Sequence, residues 1–468
     1  MSEVVVASQQ KLLVGKYKPY SEYRDSGIVW FGKVPIAWSW TALKRVVSAE
    51  RPITYGIVQA GPNIEDGIPY VRPTDMTDED GIKEGIELLK TSDEIAKNYR
   101  RSMVDSGDII CSIGPSFGKL MIVPDSLRGA NLTQGTARVA IAINHDTRYF
   151  FWCLRSLSSY QQWESSIGGA TFRALNLGPL ADTLVPLPPI KEQSLIAAFL
   201  DYETSRIDRL IAQQQRLIEL LKEKRQAVIS HAVTKGLNPN APMKNSGIEW
   251  LGQVPEHWDV CLIKYKCDDI TDGAHTSPET EGGQELFVSI KDIKDGVIEF
   301  ERALLTSSES YQHLVKSGCQ PFAGDILFSK DGTIGQTAVT PDGISFVVAS
   351  SLIIIRPNRS VVRPSFLNFL LQSCATKEQV ESFVKGAALR RLSIQNLLKV
   401  FGVFPSLYEQ DAISGYLETT LAHYSELESK AFQAISLMQE RRTALISAAV
   451  TGKIDLRGWT PPAEEVAA

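Results

Sequence analysis

The sequence predicts an α+β fold, in which two tandem mixed α/β domains are separated by two long antiparallel helices that form a coiled coil with approximate two-fold symmetry. Three observations predict it. Segments recur about 220 positions apart, short β-branched runs bounded by Gly and Pro fill the larger part of each copy, and a long stretch nearly free of Gly and Pro closes each copy. A chain of 468 residues is also too long for one compact core.

Each copy opens on a Trp/Pro motif. "SGIVWFGKVPIAW" begins at Ser26 and "SGIEWLGQVPEHW" at Ser246, an offset of 220 (246 − 26). Further on, "GDIICSIGPSFGK" from Gly107 faces "GDILFSKDGTIGQ" from Gly324, an offset of 217 (324 − 107). The difference places about three extra residues in a surface loop of the first copy. Exposed tryptophans could stack on bases, but their position at the entry to each domain favours packing in the core.

The larger part of each copy, about 26–190 and 246–405, is predicted to hold the strands. Runs such as "GDIICSI" and "TARVAIAI" in the first copy, and "GDILFSK" and "SLIIIRP" in the second, are rich in β-branched residues and end at turn formers. A helical stretch follows these strands in each copy. Each copy is therefore expected to fold as a mixed α/β domain.

The long helices are predicted at about 191–234 and 408–451, and the second contains only Gly415 as an interruption. Their apolar residues follow the steps of four and three that are typical of a coiled coil. The stripe residues are Leu200, Ile207, Leu210, Leu217, Leu221 and Val228, with counterparts Leu417, Tyr424, Leu427, Ala434, Met438 and Leu445. About 40 residues at ~1.5 Å each give rods of about 60 Å. Pairing within the chain is favoured over pairing with another protein.

A turn-rich linker, "TKGLNPNAPMKN" at 234–245, joins the copies, and pieces of it recur at both termini. The chain therefore resembles a closed ring that is cut within one of two equivalent linkers. The predicted segments are an N-terminal segment (1–25), domain 1 (26–190), long helix 1 (191–234), a linker (235–245), domain 2 (246–405), long helix 2 (406–451) and a C-terminal tail (452–468).

Composition limits the class of protein. The apolar fraction of 43% and charged fraction of 22% are those of a globular protein, and no stretch is long and apolar enough for a signal peptide or a membrane span. The six cysteines form no CxxC pair, so we expect reduced thiols in a cytoplasmic protein. A net charge of −5 requires any nucleic-acid binding to be local or shared with partners.

No catalytic or metal site is predicted. "GPSFGKL" at 114–120 has three residues rather than four between its glycines and Leu120 in place of Ser or Thr, so a turn is favoured over a phosphate loop. The histidines and cysteines lack metal-ligand spacing, and no Asn-Pro-Pro-aromatic segment that could hold a flipped adenine occurs. We therefore expect no active site in this chain.

The order SGI-W-G-VP-W, GD-I-S-G, GA-R-L, then P-EQ-I with a long helix, present twice, resembles the specificity subunit of Type I restriction–modification systems. The resemblance covers about 23–458. It implies that each globular part is a target-recognition domain that reads one half of a bipartite, asymmetric double-stranded DNA sequence, and that the long helices set the gap between the halves.

The resemblance also implies partners and their cofactors. Two methyltransferase (modification) subunits would dock on this chain with S-adenosylmethionine, and two ATP-dependent restriction subunits, with Mg, would join them. No cofactor is implied on this chain, and adenine is the implied methylated base. The absence of predicted catalytic residues agrees with such a non-catalytic subunit.

Candidate DNA contacts are polar residues at the tips where the two copies differ, because base edges differ in their donor and acceptor patterns. In the first domain they are Arg72, Thr74, Ser116, Lys119, Asn131, Gln134 and Arg173. In the second they are Ser289, Lys291, Lys330, Thr333, Ser350, Ser351, Arg390 and Arg391. Arg173 and Arg390 are aligned, which favours phosphate contact, whereas Arg72 and Lys330 occupy non-equivalent positions and suit sequence reading.

Six further residues belong to the aligned "EQ" pairs and to the last helical turns. They are predicted either to bind the modification subunits or to cap the helix bundle: Glu192, Gln193, Arg225, Glu409, Gln410 and Arg442. Two alternatives to the recognition subunit stay open at this point. One is a self-contained DNA methyltransferase or nuclease with fused DNA-binding domains, and the other is a coiled-coil scaffold that does not bind DNA.

Overall fold

The computed structural model describes residues 17–167, 173–275, 278–294, 296–384 and 390–461. The chain forms two compact units: unit 1 is Met1–Gln214 with Gln433–Ala468, and unit 2 is Gln215–Phe432. Each unit contains one mixed α/β domain together with one end of each long helix. Gly169 and Gly386, which open the aligned "GA-R-L" loops, lie outside the described residues, as do the ends of the predicted terminal segments.

Unit 1 contains eleven strands and four short α-helices among its described residues, besides its share of the long helices. The strands are β1 (Tyr23–Asp25), β2 (Lys33–Pro35), β3 (Ser39–Ala42), β4 (Thr54–Tyr55), β5 (Ile68–Val71), β6 (Lys90–Thr91), β7 (Ile109–Ser112), β8 (Leu120–Ile122), β9 (Asn131–Leu132), β10 (Thr136–Val139) and β11 (Leu184–Leu187). The helices are α1 (Asp93–Asn98), α2 (Thr147–Leu154), α3 (Leu157–Ser166) and α4 (Leu177–Asp182), and the first long helix is α5 (Ile190–Lys235).

The main sheet of unit 1 has the order β4-β10-β7-β8, and all of its strands pair antiparallel. A second sheet, β6-β5-β9, contains a parallel pair in which Val71 lies opposite Leu132. Two small antiparallel pairs, β1-β2 and β11-β3, lie at the entry and exit of the domain. The β-branched runs predicted from the sequence form the main sheet, because their side chains are buried on both faces.

Unit 2 repeats this plan with additional short strands. Its strands are β12 (Met243–Asn245), β13 (Gln253–Pro255), β14 (Asp259–Leu262), β15 (Cys267–Asp272), β16 (Glu285–Val288), β17 (Ile293–Lys294), β18 (Val297–Ile298), β19 (Leu304–Thr306), β20 (Ile326–Ser329), β21 (Thr337–Val339), β22 (Phe346–Val348), β23 (Leu352–Pro357) and β24 (Phe401–Phe404). Its helices are α6 (Ser308–Lys316), α7 (Pro364–Gln372), α8 (Cys374–Phe383) and α9 (Ile394–Leu397), and the second long helix is α10 (Leu407–Val450).

The sheets of unit 2 match those of unit 1 in order and direction. The sheet β15-β23-β20-β21 corresponds to β4-β10-β7-β8, and β19-β16-β22 contains a parallel pair in which Val288 lies opposite Val348. The pairs Val71–Leu132 and Val288–Val348 are therefore equivalent. Their offsets are 217 (288 − 71) and 216 (348 − 132), so the second copy is one residue shorter between these strands.

The ends of the long helices are part of the domain cores. In unit 1, one cluster joins Phe199 and Ile207 of α5 and Leu445 of α10 to the aromatic helix α2. In unit 2, Val233 of α5 and Leu417 of α10 pack with the residues of β20, β23 and α7. Burying the apolar side chains of both helices in each core stabilises their antiparallel course within each unit. The predicted fold class is confirmed, and α5 and α10 begin and end within two residues of the predicted helices.

The buried stripe of α5 differs from the predicted one in its middle. Leu210 and Leu217 are 41% and 40% exposed, whereas Ile218 is 6% exposed and Ile211 is partly buried. After Ile207 the helix buries the residue four positions later, so that Gln214 lies in the stripe of α5, and its counterpart Ala431 is buried in α10. The prediction followed only the leucines and missed this shift, because the polar Gln214 occupies one position of the buried stripe.

A joint around Trp38 attaches α5 and α10 to the domain of unit 1. The indole Nε1 of Trp38 donates to Glu192 at the start of α5 at 3.0 Å, and Gly452, which follows α10, lies against the same indole. The Tyr23 hydroxyl donates to the Gly452 carbonyl at 2.9 Å, and Lys453 donates to the carbonyl of Phe31 at 2.8 Å. The start of α5 and the end of α10 therefore meet at the Trp/Pro motif.

Unit 2 contains an equivalent joint, which is formed by the start of α10 and the end of α5. Trp258 donates to Glu409 at the start of α10 at 3.4 Å, and Gly236, which follows α5, lies against the Trp258 ring. Lys235 donates to the carbonyl of Leu251 at 3.3 Å, as Lys453 does in unit 1. Trp38 and Trp258 are each 1% exposed, so these two tryptophans of the motif pack in the core and do not stack on bases, whereas Trp250 is 37% exposed.

We predict that Gly452→Ala destabilises unit 1 by about 2 to 4 kcal/mol. Gly452 has a φ of +67°, and a Cβ there would lie 2.5 Å from Cδ of Pro35, so the substitution strains the backbone and overfills the joint. The measurement is the free energy of unfolding in urea. Gly458→Ala is the control, since nothing lies within 4 Å of its added Cβ. Equal stability of the two variants would contradict the assigned role of the joint.

Candidate nucleic-acid interface

The parallel strand pair of each unit brings several loops to one edge. In unit 1 the chain leaves β5 at Arg72 and leaves β9 at Thr133, and the carboxyl ends of parallel strands meet at the same edge of a sheet. The loop that follows β7 joins this edge, because the amide of Ile113 donates to the carbonyl of Gly135 at 2.8 Å. The sequence therefore positions three loops around one opening.

These loops enclose an open cleft of about 510 Å³, called the first-domain cleft below. Four of the seven DNA contacts predicted for this domain line it: Arg72, Thr74, Ser116 and Gln134. Apolar and small groups complete the wall: Ile57, Val58, Ala60, Tyr70, Pro73, Gly114, Pro115 and Thr133. Side chains that donate and accept hydrogen bonds thus project beside apolar surface, as in sites that read the edges of bases.

The guanidinium of Arg72 is held in place before any ligand binds. Its Nε and Nη2 donate to the buried carboxylate of Asp75 at 3.0 and 2.7 Å, and this ion pair raises the pKa of Arg72. A side chain fixed in this way loses little conformational entropy when it binds. Thr74, Ser116 and Gln134 are exposed.

The other three predicted contacts of the first domain lie elsewhere. Asn131 is fully buried, and its Oδ1 accepts from the amide of Leu132 at 2.9 Å, so it supports β9 from within the core. Lys119 turns away to Asp78, with Nζ and Oδ1 3.0 Å apart. Arg173 is exposed and forms an ion pair with Glu164. The structure therefore gives Asn131 a structural role in place of the predicted contact with DNA.

In unit 2 the corresponding edge collects the loops that follow β16, β20 and β22. The amide of Ser350 donates to the carbonyl of Ala274 at 2.9 Å, and the amide of Lys330 donates to the carbonyl of Ser351 at 3.0 Å. The Ser351 hydroxyl accepts from the amide of Ile290 at 3.2 Å. These contacts place Lys330, Ser350 and Ser351 around one edge, together with Ser289, which precedes Ile290.

Lys330 is not exposed at this edge. Its side chain is 3% exposed, and its ammonium group forms an ion pair with Asp272. The other carboxylate oxygen of Asp272 lies 3.2 Å from Nε2 of His275, and the His275 side chain is 63% exposed. Lys330 therefore holds Asp272 in position. The polar groups at this edge belong to Asp272 and His275, whereas the sequence prediction assigned this role to Lys330.

The remaining predicted contacts of unit 2 are partly or fully exposed. Ser289 donates its hydroxyl hydrogen to Asp292 at 2.9 Å. Lys291 and Thr333 are exposed at the tips of their loops. Arg390 pairs with Glu381, and Arg391 lies 3.2 Å from the carboxylate of Asp331. The two arginines are thus held beside carboxylates in the unbound chain.

Sequence reasoning missed the glycines that make both edges possible. A Cβ on Gly56 would lie 1.9 Å from the carbonyl oxygen of Leu132, and a Cβ on Gly273 would lie 2.2 Å from that of Ala349. Only glycine allows the backbone to approach this closely. The recurrence of "G" at an offset of 217 (273 − 56) in "YGIVQ" and "DGAHT" was the available signal. The residue after each glycine, Ile57 or Ala274, then pairs with the loop beyond β9 or β22.

Four of the six residues predicted to bind partners or cap the bundle anchor the helix starts. Glu192 and Glu409 accept from the tryptophans of the joints. Gln193 and Gln410 are 2% and 0% exposed, and their side chains bond to backbone groups of their own unit. These contacts agree with the second of the two predicted roles, which is capping of the helix bundle.

The two arginines of this set bridge α5 and α10. Arg225 donates to Ser425 at 3.1 Å in unit 2, and Arg442 donates to Asp208 at 2.9 Å in unit 1. Arg442 also forms an ion pair with Glu79, which lies in the loop between β5 and β6. Both arginines therefore hold the two helices together.

The described residues contain no group of three His, Cys, Asp or Glu side chains able to hold a metal ion. All six cysteines are free thiols, and burial raises the pKa of the Cys111 and Cys267 thiols to about 12, so both stay protonated at neutral pH. None of the helices within the described ranges is long and apolar enough to cross a membrane.

We predict that Gly56→Ala lowers the free energy of unfolding by about 2 to 4 kcal/mol, because its Cβ would overlap the backbone of Leu132 and push the loops of the first-domain cleft apart. Urea unfolding measures the change. Gly178→Ala in α4 serves as the control, since its Cβ meets nothing within 4 Å. A Gly56→Ala chain as stable as the control would show that the close approach is dispensable.

Both domains are similar to domains of known proteins. A family model described as the Type I restriction modification DNA specificity domain matches residues 59–220 and 274–436. The matches include the Type I restriction enzyme EcoBI specificity subunit of Escherichia coli, which is 24% identical over 405 residues, covering 84% of this chain and 81% of that protein. The putative type I restriction enzyme MjaX specificity subunit of Methanocaldococcus jannaschii is 25% identical over 448 residues, covering 91% and 96%.

Solved structures show the same fold. The chain matches a structure concerned with complex assembly and conformational transition of the type I R-M system, with a TM-score of 0.66 and 17% identity over 89% of this chain and 98% of the other. It also matches the HsdS subunit from Thermoanaerobacter tengcongensis, with a TM-score of 0.50 and 18% identity over 90% and 98%. Since the two family matches together cover more than half of its length, the chain belongs to the Type I restriction–modification DNA specificity family and carries the family's domain twice.

Proposed function

We propose that this protein is the non-catalytic DNA-recognition subunit of a Type I restriction–modification complex, and that each unit reads one half of a bipartite, asymmetric target. One observation carries the proposal: the two units share one backbone frame at the loop edge but present different side chains there. We take 26–190 and 246–405 as the recognition domains.

The register of the strands identifies the positions that differ. Arg72, which follows β5, corresponds to Ser289, which follows β16, and Gln134, beyond β9, corresponds to Ser350, beyond β22. Arginine donates in a fork that suits guanine, glutamine donates and accepts as adenine requires, and serine does either singly. Two edges with such different donor patterns suit two different half-sites.

The paired arginines suit contact with phosphate rather than with bases. Arg173, Arg390 and Arg391 each lie beside a carboxylate and are more than half exposed. Binding to DNA would exchange an exposed ion pair, which contributes little to stability, for a phosphate contact. Lys119 and Lys330 do not contact DNA in this proposal, and they hold Asp78 and Asp272 in place through ion pairs.

The long helices set the distance between the half-sites in this proposal, and they offer the surface on which other subunits dock. Relatives are named as specificity subunits of type I restriction enzymes. We infer two modification subunits and two restriction subunits as the partners of this chain, with S-adenosylmethionine, ATP and Mg on those subunits. Gln193 and Gln410 support docking indirectly by fixing where each helix starts.

We predict that Gln134→Ala weakens binding of the assembled complex to its target by about 1 to 3 kcal/mol, because a base edge loses its hydrogen-bond partner. Binding to unrelated DNA stays the same, since the side chain is exposed and contributes no charge. Titration of the complex with target and unrelated duplexes at one salt concentration measures both affinities.

Gln161→Ala is the matched control for this variant. Gln161 is an exposed glutamine of the same unit, in α3, and it does not line the first-domain cleft. Affinity for the target should not change in the control. An equal loss in both variants, or a loss on unrelated DNA as large as that on the target, would refute base reading at Gln134.

A further inference from the structure

A second cleft of unit 1 is rich in arginine. It has a volume of about 510 Å³ and is lined by five arginines, called the arginine pocket below: Arg51, Arg100, Arg101, Arg128 and Arg138. Only two carboxylates, those of Glu50 and Asp105, line the same cleft. This local excess of positive charge occurs in a chain whose net charge is −5. A concentrated positive potential of this kind attracts anions.

The carboxylates near the pocket satisfy only part of this charge. Arg51 forms a two-bond ion pair with Asp108, with Nη1 and Oδ1 2.8 Å apart, and Arg128 lies 3.6 Å from Asp105. Arg100 and Arg101 are exposed and form no ion pair with any residue that the structure describes. Two arginines at the rim are therefore available to an incoming anion.

Arg138 forms the floor of the pocket and is 4% exposed. Its Nη1 and Nη2 donate to the carbonyls of Met103 at 2.7 Å and Pro52 at 3.3 Å, and its Nε has no partner among the described residues. Burial, together with the nearby charge of Arg51, lowers the pKa of Arg138. A buried guanidinium with neutral partners is costly, and an anion in the pocket would offset that cost.

Unit 2 shows that the fold does not require this arginine. Arg138 of β10 lies opposite Ile110 of β7, and the corresponding pair in unit 2 is Ile354 of β23 opposite Leu327 of β20. Ile354 is 1% exposed and belongs to an apolar cluster. The same position in the sheet is thus occupied by a core isoleucine in one domain and by a charged side chain in the other, so the sheet itself does not require a charge at this position.

The arginine pocket is lined by residues of β4 and β10, and the first-domain cleft is lined by residues that follow β4 and precede β10. Thr54 and Arg138 line the pocket, and they lie opposite each other in these strands. Gln134, in the cleft, precedes Arg138 by four residues, a separation of at most about 13 Å for an extended chain. Successive phosphates of one DNA strand rise by about 3.4 Å along the axis, so the two openings are a few nucleotides apart.

We propose that the arginine pocket binds a phosphate group of the DNA backbone beside the half-site read by the first domain, and that the second domain lacks an equivalent contact. The inference rests on the proposed function, because it takes the occupant of the neighbouring cleft to be DNA. An open, exposed rim suits a continuous chain of phosphodiesters. A free nucleotide carries the same phosphate chemistry, and the experiment distinguishes the two sources.

The test compares the wild-type complex with Arg100→Gln/Arg101→Gln, which removes two exposed charges and leaves the buried Arg138 intact. Binding to a target duplex and to an unrelated duplex of equal length is measured over a range of salt concentrations. The slope of log Kobs against log salt should fall in magnitude by about 1 on both duplexes, because the pocket binds one phosphate and each phosphate contact contributes about 0.9. Affinity at 0.1 M salt should fall by the same factor on both, about tenfold.

Lys44→Gln/Arg45→Gln is the control, since it also removes two adjacent exposed charges of unit 1 that line neither cleft. Its slope should equal that of the wild type. A wild-type slope in Arg100→Gln/Arg101→Gln would overturn the proposal. Calorimetric titration of the full chain with ATP and with inorganic phosphate forms the second arm. Saturable ATP binding that the double variant loses, with an unchanged slope on DNA, would assign the pocket to a nucleotide and overturn the proposal as well.

Failure of the proposed function has a different signature. It appears as equal affinity of the wild-type complex for target and unrelated duplexes. The slope on the unrelated duplex still decides whether the pocket contacts phosphate, because that slope needs no sequence preference.

Discussion

The hydrogen bond between a buried tryptophan and the first glutamate of a long helix is the interaction on which the rest of each unit depends. Trp38 bonds to Glu192 and Trp258 to Glu409, and a glycine that follows the other long helix packs on the same ring. The joint fixes where each helix meets its domain, so the loop edge of that domain has a defined position relative to the helix ends in its own unit. Without the joint, the distance between the loop edge and the helix ends of the same unit would not be fixed.

On this support, each domain separates a shared frame from a variable edge. The frame consists of the parallel strand pair and the glycine that touches it, and both are set by backbone contacts that depend little on side-chain identity. The edge carries side chains that the frame does not need. Arg72, held by Asp75, and Asp272, held by Lys330, show two ways of pre-ordering a charged group at equivalent edges. Such an arrangement allows the bound sequence to change without loss of the fold.

The sequence predicted the duplicated architecture and the helix bounds, because repeats, β-branched runs and the absence of Gly and Pro are local signals. Four residues predicted to contact DNA line the first-domain cleft, since the tips of predicted strands can be recognised from turn residues, and their contact with DNA stays a prediction. The sequence prediction failed at Asn131 and Lys330, because burial depends on long-range packing that one-dimensional patterns do not contain. It also misplaced the middle of the α5 stripe, where Ile218 rather than Leu217 is buried. The arginine pocket was missed because its members are far apart in the sequence.

The central claim is that each domain reads its own half of the target, independently of the other. Exchanging residues 26–190 for the corresponding domain of a relative, followed by methylation-sensitive sequencing of DNA from cells that contain the complete complex, tests it most directly. One half of the methylated sequence should change, while the other half and the gap should stay the same. Methylation in which both halves change, or neither does, would contradict the account.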